Sequence, residues 1–112
     1  MTYCMVFVTC KNDTEARSMA SKIVHKKLAA CVQMNPVISV YTWKGEVQTE
    51  TETRLVIKTR TDLYKALESF IQEQHNYEVP QILQVPISRG LPAFLDWIDQ
   101  TTEPGQHSVS SG

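Results

Sequence analysis

Only four glycines occur in the 112 residues, at Gly45, Gly90, Gly105 and Gly112, so no glycine-rich loop can cradle a phosphate and no dinucleotide fingerprint can be written. The chain also lacks an HExxH pair and a GxSxG nucleophile elbow, the local signatures of zinc proteases and α/β-hydrolases. Its three cysteines, Cys4, Cys10 and Cys31, are odd in number and have no CxxC spacing, which argues against a disulfide framework or a zinc site and for reduced thiols. Charge of one sign is missing too. The formal net charge is -1, which gives no positive field for holding nucleic acid or anionic lipid. The longest early apolar run, Met5-Val6-Phe7-Val8, is too short to span a bilayer and has neither a basic flank nor a cleavage site. Together these absences predict a cytoplasmic protein that binds neither nucleic acid nor membrane and is not an enzyme.

What is present reads as one α+β domain over residues 1–100, followed by a flexible polar tail over 101–112. Residues 3–9 are apolar and β-favouring and predict a buried strand. Asn12 stands three residues before Glu15, a capping-box spacing, and Ala16, Met19, Ala20, Ile23 and Val24 follow at helical period, predicting a helix over 13–27. Residues 30–43 favour extended structure with a bulge or bend at Pro36. Lys44-Gly45 suits a hairpin turn, and the return strand alternates, with Val47, Thr49, Thr51, Thr53, Leu55 and Ile57 on one face. A second amphipathic helix follows over 62–74, then a strand over 82–87 and a short helix opened by Pro92. The order βαβ, hairpin, βαβ with an extra C-terminal helix is the ferredoxin-like split βαβ pattern, one sheet with helices on one face.

The hairpin is too long for such a domain. A strand from 46 to 58 extends about 43 Å, whereas a domain of this size has a radius of gyration of about 13 Å. Its tip, with Val40, Tyr41, Trp43 and Val47, must overhang the core and needs a partner to cover its unpaired edges. Self-association by strand pairing is the predicted solution.

Several fragments, taken in order, resemble the CutA-type divalent-cation tolerance proteins: Lys27-Leu28-Ala29-Ala30-Cys31-Val32, Tyr41-x-Trp43-x-Gly45, Glu52, Lys58-Thr59, His75-x-Tyr77-x-x-Pro80, Pro86 and Trp97. The resemblance covers residues 4–99. It implies a ferredoxin-like subunit, a homotrimer joined by strands of different subunits, and a role in the response to copper or other divalent metals. Copper ligands described in relatives include a first-strand cysteine and two adjacent histidines; here Val8 and Gln74 stand at two of those positions, His75 matches the third, and Cys10 lies two residues from Val8 on the same strand face.

Individual residues admit a plain reading beside each functional one. His75 is either a Cu(II) or Zn(II) ligand or a hydrogen-bonded corner residue. Cys10 is either a shifted thiolate ligand or a buried structural thiol. Glu50 and Glu52 are a carboxylate pair about 7 Å apart on one strand face or partners for Arg54 and Lys58 on that face, with the pairing of Glu52, which matches the family pattern, open to a cation across a subunit boundary. Tyr41, Trp43 and Tyr77 line a ligand pocket or pack at an interface. The alternative to metal tolerance is a trimeric signalling or scaffold protein that takes a small organic ligand between subunits, with Lys58 and Arg54 suited to an anionic one.

Overall fold

The computed structural model describes residues 1–103. It contains β1 (Tyr3–Cys10), α1 (Asp13–His25), β2 (Cys31–Trp43), β3 (Glu46–Arg60), a single 3-10 turn (Thr61–Leu63), α2 (Tyr64–Gln74), β4 (Ile82–Ile87) and α3 (Pro92–Thr101). The four strands form one antiparallel sheet in the order β2-β3-β1-β4, as the ferredoxin-like reading requires. Of the expected tail over 101–112, residues 104–112 lie outside the described residues. The last helix runs slightly past the expected boundary at 100: α3 continues through Thr101, and Thr102 is fully buried.

Local chemistry sets the element ends. The Asn12 side chain accepts a hydrogen bond from the Glu15 N–H at 2.9 Å, which satisfies one of the free donors at the start of α1. The helix stops at His25, two residues earlier than periodicity predicts, because Lys27 adopts φ 61° and the Leu28 N–H turns back to the Ile23 carbonyl. That is a left-handed C-terminal cap made without glycine. At the hairpin, Lys44 and Gly45 both have positive φ, 52° and 83°, the backbone a two-residue turn needs if its twist is to match the strands. Pro36 makes no bulge. The β2–β3 register runs unbroken from Cys31↔Lys58 to Trp43↔Glu46, and Pro36 is tolerated because β2 is an edge strand with a side that needs no ladder donor.

Period-two alternation directs Cys4, Val6, Val8 and Cys10 of β1, with Leu55, Ile57 and Thr59 of β3, toward α1 and α2. There they meet Ala16, Met19, Ile23, Leu67 and Ile71 in one core. The third helix departs from the sequence reading: α3 lies on the other face of the sheet. Its Asp99 accepts a hydrogen bond from the Tyr3 hydroxyl at 2.6 Å, the Thr102 carbonyl accepts one from Arg60, and Phe94 lies beneath the Lys58 ammonium. Tyr3, Lys58 and Arg60 all belong to the face opposite the core. Sequence order alone cannot say which face a terminal helix chooses.

The Asp99 carboxylate holds the Tyr3 phenol protonated and pushes its pKa up to about 12, and burial, aided by Glu68, does the same for Tyr64. Both folded values lie above the ordinary 10.0, so the neutral phenols favour the folded state below pH 10. That contribution disappears as pH rises through about 12. An alkaline absorbance titration at the phenolate band should therefore lose one of its late-ionising tyrosines, near pH 12, in Tyr3→Phe.

Candidate functional site

β1 pairs with β3 only over residues 53–60, whereas β2 pairs with β3 from 46 to 58. Residues 46–52 and 37–43 therefore form a two-stranded ribbon that extends beyond the sheet, and the molecule measures 53 × 30 × 21 Å with a radius of gyration of 15.3 Å. Where the ribbon leaves the sheet it meets the chain following α2, and a cleft of about 720 Å³ opens between them. Tyr41, Trp43, Glu50 and Glu52 reach it from the ribbon, and Tyr77 and Glu78 from the corner after α2.

Polar contacts in the cleft join the two walls. The Tyr77 hydroxyl donates to Glu52 Oε2 at 2.8 Å, and the Tyr41 hydroxyl donates to Glu50. Glu52 is only 7% exposed. Burial first, then the bond to Glu52, push the Tyr77 phenol far up, and the bond to Glu50 raises that of Tyr41. Both remain neutral donors. Within one subunit Glu52 makes no ion pair with Arg54 or Lys58. Lys58 instead donates to Gln33 at 2.6 Å and stands over Phe94, while Arg54 stacks on Phe7, so neither lines the cleft.

His75 fixes the corner that carries Tyr77. Its Nε2 donates to the Thr9 carbonyl at 2.7 Å, and its Nδ1 accepts the Tyr77 N–H at 3.1 Å. A carbonyl only accepts and a backbone N–H only donates, so these two contacts select the neutral tautomer with its proton on Nε2. Replacing His75 with alanine removes both bonds and leaves the Thr9 carbonyl without this donor, which should lower the unfolding free energy by about 2 kcal/mol in urea titration. Sequence reasoning passed over Thr9 altogether, since nothing at the end of β1 signals an imidazole 66 residues away.

Cys10 and His75 do share a second groove, of about 300 Å³, between α1 and the end of α2. Copper does not fit there. Both imidazole nitrogens are engaged, and burial, with Glu15 and Glu52 nearby, pushes the Cys10 thiol up to about 11, which disfavours the thiolate a metal requires. Gln74 accepts from Lys22 at 3.0 Å, and Val8 is wholly buried. Among the described residues no three histidine, cysteine, aspartate or glutamate side chains come together as a metal site, and the cysteines are free. Among the described residues no helix is long and apolar enough to cross a membrane.

A family model described as "CutA1 divalent ion tolerance protein" matches residues 4–101. The chain is 41% identical over 103 residues to Protein CutA of Mus musculus, covering 91% of this chain and 58% of the relative. To the chloroplastic Protein CutA of Arabidopsis thaliana it is 40% identical over 99 residues, covering 88% and 54%. The chain thus spans less than two thirds of the length of these two relatives. Among solved structures, the periplasmic divalent cation tolerance protein CutA of Archaeoglobus fulgidus superposes with a TM-score of 0.89 at 37% identity, covering 90% of this chain and 99% of that one.

These relatives correct one expectation. With one described as chloroplastic and another as periplasmic, the cytoplasmic placement does not stand. Unpaired thiols and short apolar runs are properties of the folded domain, and the domain occurs in more than one compartment. With the family match running from the first strand to the end of the last helix, and with the shared fold of the Archaeoglobus protein, the chain belongs to the CutA1 divalent ion tolerance protein family.

Proposed function

We propose that this chain is one subunit of a homotrimer that serves tolerance of divalent cations and catalyses no reaction. The observation that carries the assembly is the overhanging ribbon. Ile38, Val40 and Val47 are 74, 66 and 74% exposed on it, all on one face by the register Ile38↔Thr51, Val40↔Thr49 and Thr42↔Val47. A two-stranded ribbon is marginal in water, and the sheet order leaves one backbone edge of β2 and one of β4 open. Pairing these edges between copies would complete the ladders and cover the valines. Support for the role comes from the family description and from relatives whose names denote a response to ions rather than a reaction.

Since the Cys10 and His75 groove does not fit copper, the proposed role has no resident metal inside one subunit. Native mass measurement should give about 38 kDa, three times the 12.7 kDa of one chain, unchanged by a chelator; a species of one chain would refute the trimer. Calorimetric titration with Cu(II) or Zn(II) should show no saturable uptake that His75→Ala abolishes, and such uptake would restore the direct-binding reading. A second reading, a trimeric small-ligand-binding signalling or scaffold protein, is favoured by one observation, the cleft beside the ribbon.

A further inference from the structure

We propose that the cleft between the ribbon and the corner after α2, where Glu50, Glu52 and Glu78 face Tyr41, Trp43 and Tyr77, binds a small organic cation such as an alkylamine. The inference rests on the second reading, that the cleft takes a ligand, and names its chemical class. It does not depend on the metal-tolerance role.

Charge, burial and shape all point to that class. The cleft volume, about 720 Å³, lies in the range of small-molecule sites. Among the described residues its lining contains three carboxylates and no lysine, arginine or histidine. Glu52 is the independent sign of a missing counter-ion within the subunit. It is more than nine-tenths buried, its donor Tyr77 is a neutral phenol, and neither ion pair among the described residues involves it. A carboxylate taken out of water without a counter-ion is costly, and a ligand ammonium would supply the charge together with hydrogen bonds. The aromatic walls favour the same occupant, because indole and phenol faces attract cations. Trp43 already does so with the Lys44 ammonium, 5.7 Å from its ring centroid.

Two other candidates fit less well. An anionic ligand, the expectation drawn from Arg54 and Lys58, would meet three carboxylates, while those two cations lie outside the lining. A divalent ion needs several oxygens converging at coordination distance, and no group of three candidate ligands does so among the described residues.

The test is calorimetry and tryptophan fluorescence on the intact protein in a chelator, with 1,4-diaminobutane as probe and 1,4-butanediol as its uncharged counterpart. The diamine should bind saturably and the diol should not. Glu50→Gln and Glu52→Gln should each weaken the diamine by about tenfold or more. Glu50 is exposed, so its variant retains the fold even if loss of the buried Glu52 charge disturbs the cleft. Equal binding of the diol, no saturable signal at millimolar diamine, or diamine binding indifferent to Glu50→Gln would each overturn the proposal. Saturable Mg(II) or Zn(II) binding lost in the same variants, measured without chelator and without diamine binding, would overturn the organic class in favour of a metal. Native mass on the same samples separates this result from the assembly: a trimer that ignores the diamine sinks only the ligand.

Discussion

Val40→Lys combined with Val47→Lys is expected to yield a folded chain that sediments as a single subunit. Both valines point to the same side of the ribbon and lie outside the core of their own subunit, at 66 and 74% exposure. Circular dichroism should therefore remain that of the native chain. In the trimer proposed above each valine would be covered, and burying a valine contributes about 1.5–3 kcal/mol. Six such side chains would be replaced by charges that repel one another and resist desolvation. Sedimentation should show mass falling threefold with secondary structure unchanged. A double variant that still ran as a trimer would mean that the ribbon is not the contact.

Leu55→Ala should act on the other side of this division and destabilise the subunit itself. Leu55 is fully buried in β3, opposite Val8 of β1 and Met34 of β2, facing the two helices. Losing its side chain in a packed core costs about 3 kcal/mol, a large share of the 5–15 kcal/mol that holds a domain of this size together. Urea titration at matched protein concentration should show a lower midpoint with an unchanged slope. A loss below about 1 kcal/mol would mean that the core collapses into the space.

Most of the fold was legible because its signals are local. The Asn12 cap, the Lys44-Gly45 turn, the alternation of β3 and the Pro92 start of α3 each depend on a few adjacent residues, and each is found where those residues stand. The overhang could be anticipated for a different reason: strand length is fixed per residue while domain size grows slowly with chain length. Sequence reading falls short where a residue's partner is distant in sequence. It offers Glu52 cations on its own strand face or across a subunit boundary, whereas within the subunit its donor is Tyr77, from 25 residues away. His75 was weighed as a ligand because imidazoles bind metals, yet its two nitrogens are taken by backbone groups, a fact no spacing reveals. Likewise β2 kept its register through Pro36 because β2 is at an edge, and strand order is itself a tertiary result. The cleft was half legible: Tyr41, Trp43, Glu52 and Tyr77 were singled out, but not that they share one concavity.

The bond between Tyr3 and Asp99 ties the first strand to the last helix across 96 positions. Tyr3 is synthesised 96 residues before Asp99, so the face of the sheet that α3 covers stays bare until α3 itself is made. The core between the sheet and α1 and α2 can close earlier, since every residue in it precedes Ile82. Folding during translation is therefore staged: one side of the sheet is sealed while the other waits for the final helix.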